Sequence, residues 1–244
     1  MIEITAKDNA TYKTAVKLLD KKYRDLYGMF LVEGTRAVID ILQFSPELVQ
    51  NVFVSADADD KRIGTALLPQ KLFAALCETE NSQGIVAVVK KPPPREAKTG
   101  SFALFLDRVR DPGNVGTLIR TALAAGFTDI FLYDCADAYS GKVVRSTMSA
   151  IVKVNLIIAD LSDISVLKSE GYTVISADMK GQNAYGYKSM SDKICLVIGN
   201  EANGLCDEIR KASDVILSLP MYGDVESLNA AVCGSILMYN LRYL

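Results

Sequence analysis

Three short segments of this 244-residue chain concentrate the residue types that bind polar ligands. The densest is Ser218–Asn229, which follows a predicted strand and precedes an apolar helix predicted over residues 230–239. After a loop of Pro and Gly it places Glu226, Ser227 and Asn229 within four positions. Small polar side chains and free backbone N–H groups at the start of a helix can bind a polar ligand. An ordinary helix capped by Ser227 or Glu226 explains the segment equally well when it is taken alone.

Two further segments have the same kind of chemistry. In Leu106–Ala122 a strand ends, an Asp-Pro-Gly turn follows and a helix begins near Asn114, with Arg120 about two turns later. In Leu196–Leu205 a strand leads into a polar, Gly-containing loop with Glu201 at its tip. Ligands of parallel α/β sheets bind at the carboxyl ends of the strands. We therefore expect the three loops to meet in one site.

The composition excludes several kinds of catalysis. The chain has no histidine, which rules out Ser-His-Asp and Cys-His nucleophile systems and histidine-containing metal sites. Its five cysteines are scattered without a Cys-x-x-Cys pair, which is typical of reduced, mostly buried thiols. We therefore expect no metal, and catalysis has to use Arg, Lys, Asp, Glu, Tyr, Ser, Cys or backbone dipoles.

The elements that position these loops form two predicted α/β domains. In the C-terminal part, short strands that are apolar throughout alternate with helices, and this pattern predicts a parallel sheet covered on both faces. The predicted strands are 102–106, 130–133, 154–158, 173–177, 194–198 and 215–219. The N-terminal part starts with a helix whose apolar residues repeat at helical spacing from Tyr12 to Leu26. Three consecutive prolines then mark an extended connector. We predict a small domain over residues 1–92, a Pro-rich linker over 93–100 and a larger domain over 101–244.

Charge and hydropathy bear on partners and location. A net charge of −2 and a pI near 5.4 are not typical of a nucleic-acid-binding protein. Basic residues nevertheless cluster around Arg24 in the first helix and at Lys142 with Arg145, and phosphate binding needs only a local patch. A lysine-rich helix face is also the ordinary composition of a solvated surface. No apolar run reaches membrane-spanning length and the N-terminus lacks a signal-peptide pattern, so we expect a cytoplasmic protein.

A dinucleotide-binding loop is the first alternative for the segment after the first C-terminal strand. Gly113-Asn-Val-Gly116 follows that strand, but the full Gly-x-Gly-x-x-Gly spacing is missing. Only Asp134 could serve as the ribose-binding acid, and no Walker phosphate loop is present. The sequence therefore disfavours a nucleotide-dependent enzyme of Rossmann type.

The three segments, in this order and spacing, resemble the signature motifs of the SpoU/TrmH family of RNA ribose 2'-O-methyltransferases. Asp111–Ala122 resembles the first motif, Val197–Leu205 the second and Leu219–Asn229 the third. Lys142–Met148 is similar to a further family element between the first two. In the N-terminal part, Lys22-Tyr-Arg24, Phe30–Gly34 and Gln83–Val88 look like the small substrate-binding domain that many members carry. The resemblance therefore covers nearly the whole chain.

The resemblance implies a fold, a cofactor and partners. The fold is a SPOUT-type α/β domain whose last segments form a deep trefoil knot, which is rare among proteins, preceded by a small α/β RNA-binding domain. The cofactor is S-adenosylmethionine. The partners are structured RNA and a second copy of the chain, which binds through the C-terminal domain so that both subunits build the active site. The implied residues are Asn114, Arg120, Glu201, Ser227 and Asn229 for catalysis, Gly199, Leu219, Met221, Leu228 and Asn229 for the cofactor, and Arg24, Lys142 and Arg145 for RNA.

Methyl transfer to a ribose 2'-hydroxyl requires that the proton is removed or that the developing negative charge is stabilised. In the family an arginine matching Arg120 is often assigned as the base, but a guanidinium is costly to deprotonate. We therefore expect Arg120 to anchor the neighbouring phosphate and to stabilise alkoxide charge. The proton then goes to phosphate, water or a transiently neutral Arg120. Without the motif, a surface arginine paired with Asp107 or Asp111 would be the simpler interpretation.

The chain departs from the family pattern at four sites. Ala230-Ala231 stand where Val-Ser is usual, Asn240 where an acidic residue often ends the last helix, Ser149 where Gly is common, and Asn81-Ser where Thr-Pro is common. None of them is an implied catalytic residue, so we expect an active enzyme that methylates a ribose 2'-hydroxyl in structured RNA. 23S ribosomal RNA is the first expected substrate. Transfer RNA is the alternative substrate, and a non-catalytic RNA-binding or ribosome-assembly factor with the same fold is the alternative function.

Overall fold

The structure is a computed structural model that describes residues 1–93, 100–189 and 191–243. Most of the predicted Pro-rich linker, residues 94–99, lies outside the described residues. The strands are β1 Ile2–Glu3, β2 Met29–Glu33, β3 Val49–Ser55, β4 Ala66–Leu68, β5 Ile85–Lys90, β6 Phe102–Asp107, β7 Asp129–Tyr133, β8 Asn155–Ile158, β9 Thr173–Asn183, β10 Ile194–Ile198 and β11 Val215–Ser218. The α-helices are α1 Ala10–Lys17, α2 Lys21–Tyr27, α3 Thr35–Phe44, α4 Gln70–Ala74, α5 Pro112–Ala125, α6 Gly141–Thr147, α7 Ser162–Ser169, α8 Asp207–Ala212 and α9 Ala230–Arg242. Short 3-10 helices cover Pro46–Leu48, Ala150–Val152 and Ala184–Gly186.

The described chain divides into two compact units. The first comprises Met1–Pro93 together with Asp137–Val152, and the second comprises the rest of the described chain. Residues 137–152, which contain α6, therefore pack with the N-terminal part, whereas the sequence placed them in the larger C-terminal domain. One physical reason is an ion pair within the first unit, in which Asp137 neutralises the buried Arg24.

The first unit is built on a mixed five-stranded sheet with the order β1-β4-β3-β5-β2. β1, β4 and β3 run parallel to one another, and β5 runs antiparallel to both β3 and β2. A core of buried apolar side chains, including Phe53 and Phe73, joins this sheet to α1 and α4. This is the small α/β domain that the sequence predicts.

The single first helix that the sequence predicts is two helices. α1 ends at Lys17, and Asp20 caps α2 by accepting a hydrogen bond from the backbone N–H of Lys22 at 2.9 Å. An aspartate favours the cap position because its short side chain satisfies an N–H group that has no partner within the helix. The apolar spacing continues across the break, so periodicity alone did not reveal it.

The second unit is built on an all-parallel six-stranded sheet with the order β11-β9-β10-β6-β7-β8. This confirms the predicted parallel α/β sheet, and the apolar strand predicted at 194–198 coincides with β10. β9 extends to Asn183, beyond the predicted end at residue 177. Its extension is polar, and hydropathy therefore did not show it. The trefoil knot implied by the family resemblance stays a prediction.

Asn229 caps α9, which corrects the prediction that Ser227 or Glu226 does so. Its Oδ1 accepts hydrogen bonds from the backbone N–H groups of Ala231 at 2.9 Å and Val232 at 3.2 Å. Asparagine is among the strongest cap residues for the same reason as aspartate. The last polar residue of the segment, not the first, therefore opens the helix.

α9 packs closely on α5. A Cβ atom at Gly234 of α9 would lie 2.6 Å from the Cδ2 atom of Leu118 in α5, so the absence of a side chain permits this approach. Ser235 adds a polar contact, because its Oγ donates to Thr121 Oγ1 at 3.1 Å. The starts of the two helices are thereby brought together. Among the described residues, no helix is long and apolar enough to cross a membrane.

Candidate active site

Two neighbouring strands of the second unit bring the first two motif segments together. β6 and β10 are adjacent and parallel, with Leu106 opposite Ile198 at their carboxyl ends. The loops that follow start side by side, and Asn200 joins them by donating its Nδ2–H to the carbonyl of Arg108 at 2.7 Å. The Oδ1 of Asn200 accepts from two backbone N–H groups of its own loop, both at 3.0 Å. Asn200 therefore fixes both the shape and the position of the second-motif loop.

Gly199 allows this loop to fold back on the end of β10. A Cβ atom at this position would lie 2.6 Å from the carbonyl carbon of Gly204 and 2.7 Å from the amide nitrogen of Leu205. Asn200 and Gly204 form an antiparallel bridge at this point, with backbone hydrogen bonds of 3.0 and 2.9 Å. The atoms in the way belong to the backbone, so only glycine permits the approach.

We expect Gly199→Ala to distort the second-motif loop, since the new methyl group has to displace backbone atoms. Overpacking of this kind costs about 1–3 kcal/mol, which lowers the melting temperature by roughly 2–10 °C. The matched control is Gly186→Ala in the same unit, where no atom lies within 4 Å of the added Cβ. Differential scanning fluorimetry of both variants checks the prediction, and equal melting temperatures would contradict it.

A hydrogen-bonded chain of three side chains joins all three motif segments. Asn114 Nδ2 donates to Glu201 Oε1 at 2.9 Å, and Asn229 Nδ2 donates to Asn114 Oδ1 at 2.9 Å. Asn114 is 8% exposed and lies at the start of α5, where Asp111 caps the helix by accepting from its backbone N–H at 2.8 Å. The structure thus brings three of the five predicted catalytic residues into one cluster, although 115 positions separate the first of them, Asn114, from the last, Asn229.

The carboxylate of Glu201 is an acceptor for several donors. Besides Asn114, the backbone N–H groups of Arg110 and Asp111 each donate to it at 3.2 Å. Partial burial acts to raise the pKa of Glu201, but the hydrogen bonds, with that of Asn114 first among them, outweigh burial and hold the pKa below its ordinary value of 4.5. Glu201 is therefore ionised at neutral pH, and it orients Asn114 instead of donating a proton.

Glu201→Gln tests this role through pH dependence. In the glutamine side chain an NH2 group replaces one of the two acceptor oxygens, and it would face an N–H donor. We therefore expect a loss of about 1 kcal/mol in the free energy of unfolding at neutral pH. Because the folded-state pKa is depressed, the carboxylate contributes fully above its unfolded-state pKa and loses this contribution as the pH falls through the folded value. Urea denaturation should show a difference between wild type and variant that shrinks on acidification. A difference that does not change with pH would contradict the assignment.

Arg120 lies exposed on α5 and does not join the cluster. Among the described residues it forms no ion pair or hydrogen bond. Neither partner of the simpler surface interpretation binds it: Asp107 is fully buried and pairs with Arg108 at 2.6 Å, while Asp111 caps α5. About 9 Å of helix axis separate Arg120 from Asn114. Its guanidinium is therefore available to a ligand.

The loop between β11 and α9 offers backbone donors. Among the described residues, the only backbone N–H group of residues 221–228 with an acceptor is that of Val225, which donates to the carbonyl of Gly223 at 3.0 Å. Exposed apolar side chains, including Val225 and Leu228, lie in the same loop. Free N–H groups beside apolar side chains fit a ligand that has both a ring and polar groups, as S-adenosylmethionine has. The donor set therefore suits the cofactor that the family resemblance implies.

The predicted cofactor and catalytic residues of this third segment differ in exposure. Leu219 is buried at the end of the sheet, Met221 is half-buried, and Leu228 is exposed. Ser227 is exposed and makes no hydrogen bond to the described residues, so the structure does not bring it into the Asn114 cluster.

The predicted RNA-binding residues belong to the first unit. Arg24 is 6% exposed, and its Nη1 donates to the carbonyls of Leu18 at 2.8 Å and Leu19 at 2.7 Å. Its Nη2 pairs with Asp137 at 2.6 Å. These contacts give Arg24 a structural role in the turn between α1 and α2, in place of the predicted RNA contact.

Arg145 and Lys142 both lie on α6. Arg145 pairs with Glu78 at 3.2 Å and with Glu33 at 3.5 Å, so its charge is neutralised within the first unit. Lys142 is exposed to solvent. The RNA-binding roles of both residues stay predictions.

The sequence did not predict the roles that Asp107 and Arg108 have in the structure. Asp107 accepts from Arg108 Nε at 2.6 Å and from the backbone N–H of Cys206 at 2.7 Å. Arg108 has a positive φ of 56° and donates from Nη2 to the carbonyl of Gly204 at 3.2 Å. Together they tie the far end of the second-motif loop to β6. The sequence feature that could have indicated these roles is an Asp-Arg pair at the end of an apolar strand.

Two family models match the chain. The model of the SpoU rRNA Methylase family matches residues 101–239, and the model of the MRM3-like substrate binding domain matches residues 9–87. The first spans more than half of the chain and includes all three motif segments. The matches confirm the resemblance that the motifs indicated.

Relatives and solved structures extend this likeness over nearly the whole chain. The 23S rRNA (guanosine(2553)-2'-O)-methyltransferase RlmP of Bacillus subtilis is 36% identical over 252 residues, covering 99% of this chain and 100% of the relative. The crystal structure of an AdoMet-bound rRNA methyltransferase from Sinorhizobium meliloti is 28% identical with a TM-score of 0.85, covering 99% and 97% of the two chains. A putative RNA methyltransferase of the TrmH family from Porphyromonas gingivalis is 29% identical with a TM-score of 0.83, covering 98% and 99%.

Proposed function

Because the chain belongs to the SpoU rRNA methylase family, we propose that it transfers a methyl group from S-adenosylmethionine to a ribose 2'-hydroxyl of 23S rRNA. The observation that carries the proposal is the hydrogen-bonded chain from Glu201 through Asn114 to Asn229, which joins the three motif segments. The target nucleoside is a guanosine, the nucleoside in the name of the Bacillus subtilis relative.

S-adenosylmethionine supplies an electrophilic methyl group on its sulfonium when it is bound. In this chain Gly199, Leu219, Met221 and Leu228 would hold it, with the backbone N–H groups of residues 221–228 other than that of Val225 as donors. Asn229 keeps the end of this loop in place, since its side chain both caps α9 and bonds to Asn114. One end of the loop is therefore fixed, while its backbone donors remain available. This preorganises the loop for a ligand.

On the ribose side, Arg120 binds the phosphate next to the target nucleotide and stabilises the negative charge that develops on the 2'-oxygen. A guanidinium keeps its charge at neutral pH, so the proton of the hydroxyl passes to phosphate or water. Asn114 faces the ribose with an amide whose orientation Glu201 and Asn229 fix from opposite sides. Ser227, on the exposed loop and outside the Asn114 cluster, is the remaining predicted catalytic residue.

A second copy of the chain and a cytoplasmic location are part of the proposal. The second unit exposes large apolar side chains on its last helix and beyond, namely Val232, Tyr239 and Tyr243. Exposed apolar groups gathered on one element favour association. Pairing through this helix would cover them next to the third-motif loop, and would place residues of both copies around the site.

Labelled methyl transfer tests the proposed function directly. The protein is incubated with radiolabelled S-adenosylmethionine and either 23S rRNA that lacks the modification or transfer RNA. We expect label in 23S rRNA alone, at a guanosine whose 3'-phosphodiester resists alkali because its 2'-hydroxyl is blocked. Label in transfer RNA alone would assign the alternative substrate, and folded protein that labels neither RNA would overturn the proposal.

A further inference from the structure

The first unit carries an aromatic and basic surface to which the proposed function assigns no ligand. The rings of Tyr23 and Tyr27 on α2 are stacked, with centroids 5.9 Å apart and planes inclined by 26°. The Nζ atoms of Lys17 and Lys22 lie 5.3 and 5.8 Å from the centroid of the Tyr23 ring. We refer to Lys17, Lys22, Tyr23 and Tyr27 as the tyrosine–lysine surface.

The two lysines of this surface differ from their neighbours in having no acidic partner among the described residues. Their neighbours Lys21 and Lys91 both pair with Asp25, at 2.6 and 2.8 Å. Among the described residues, by contrast, no carboxylate pairs with Lys17 or Lys22, and both are exposed. The surface thus offers two unneutralised cations beside an aromatic pair, although the chain as a whole is acidic.

Tyr27 packs against Tyr23 without being buried. It is 36% exposed, and Leu26 beside it is 67% exposed, so neither side chain serves the core. The half-buried Tyr23 supports the Tyr27 ring through the stack. An exposed ring that already packs on a neighbouring ring loses less conformational entropy when a ligand stacks on it than an unsupported ring does.

The buried Arg24 fixes the turn that separates Lys17 from Lys22. Lys17 ends α1 and Lys22 lies at the start of α2, and the guanidinium of Arg24 bonds to two backbone carbonyls of the intervening turn. The spacing between the two lysines is therefore set by a buried group. This explains how Arg24 can support RNA binding without touching RNA.

We propose that the tyrosine–lysine surface binds an unpaired nucleotide of the substrate RNA. Its base stacks on Tyr27, and Lys17 and Lys22 bind the flanking phosphates. Unpaired bases are recognised by stacking on aromatic side chains beside cationic groups, whereas a paired base has no free face. Because every base has such a face, the surface selects for single-stranded RNA and not for a particular base. The inference rests on the proposed function, since it takes RNA as the substrate.

Fluorescence titration with 2-aminopurine tests the stacking. One probe is an RNA hairpin with 2-aminopurine in a single-stranded loop, and the other is a duplex of equal length with the same base paired. Tyr27→Leu keeps apolar bulk but removes the ring, and we expect it to weaken binding of the loop probe about 5- to 100-fold while leaving the duplex unchanged. Tyr27→Phe keeps the ring and should bind like wild type. Equal binding of the loop probe by Tyr27→Leu and wild type would overturn the inference, and would leave the surface to a protein partner.

Salt dependence tests the lysines. Lys17→Ala and Lys22→Ala should each reduce the slope of log affinity against log salt by about 0.7, the value for one phosphate contact on a single strand. Lys71→Ala is the matched control, because Lys71 is an exposed lysine of the same unit on α4. A control slope that falls as much as the slopes of the two variants would mean that the effect is general charge loss, which contradicts a specific surface.

Methyl transfer separates this inference from the proposed function. Tyr27→Leu should raise KM for RNA by the same factor as its loss of affinity, with kcat and the affinity for S-adenosylmethionine unchanged. If Tyr27→Leu keeps the wild-type KM, the inference fails while the proposed function stands. If wild type binds the loop probe through Tyr27 but transfers no methyl group to any RNA, the proposed function fails and the binding surface remains.

Discussion

Replacing Arg120 by alanine is expected to lower kcat for RNA methylation by about 10²- to 10³-fold, the usual cost of removing one preorganised group that stabilises developing charge. Arg120 is exposed on α5 and, among the described residues, has neither an ion pair nor a hydrogen bond. Because its guanidinium makes no contact among the described residues that stabilises the second unit, the substitution should lower the rate of the chemical step and leave the stability of the fold unchanged. Initial rates of labelled methyl transfer at saturating cofactor measure it.

Three comparisons give the Arg120 experiment its controls. Calorimetry should show an unchanged dissociation constant for S-adenosylmethionine, because Arg120 lies outside the loops that we propose as the cofactor site. Arg120→Lys should retain part of the rate, since it keeps a charge but not the planar fork that binds phosphate at two points. Lys211→Ala removes an exposed cation of the same unit outside the motif segments and should act like wild type. Full turnover by Arg120→Ala would remove this residue from the mechanism.

The sheet of the second unit could be predicted from the sequence because both of its faces are covered. A parallel strand covered on both faces is apolar throughout, as in 194–198, and such a run can be recognised without any tertiary information. The polar end of β9 has no such signature. The motif segments could be placed in one site because parallel strands direct their following loops to one edge of the sheet.

Side-chain partners could not be predicted in the same way. Ser227 and Asn229 are both good cap residues, and only the path of the loop decides that Asn229 caps α9 and also bonds to Asn114. Arg24 lies in a basic stretch that is typical of a surface, yet it is buried because Asp137 neutralises it from more than a hundred positions away. Contacts between residues so far apart in the sequence depend on the tertiary path of the chain. Local sequence patterns carry no information about that path.

The ion pair between Arg24 and Asp137 is expected to carry the largest effect on stability. The two side chains are 7% and 19% exposed. Asp137→Ala would leave the guanidinium buried without a carboxylate, and losing one partner of a buried pair costs about 3–5 kcal/mol. Urea denaturation followed by far-UV circular dichroism measures this loss. The control is Lys21→Ala, which breaks an exposed pair on α2 and should cost about 0.5 kcal/mol or less.

A double variant tells whether the cost comes from the unpaired charge or from lost packing. Arg24→Met keeps a long apolar side chain but removes the charge together with the hydrogen bonds to the carbonyls of Leu18 and Leu19. Adding it to Asp137→Ala should therefore restore only the part of the stability that the unpaired charge had cost. The coupling between the two positions should then be of the order of 1–3 kcal/mol, as for residues in direct contact. If Asp137→Ala costs no more than Lys21→Ala, residues 137–152 are not held in the first unit by this pair. Strict additivity of the two losses would instead show that each side chain stabilises the unit independently. The expected coupling follows from one geometric fact, that Asp137 is the carboxylate bound to the buried Arg24.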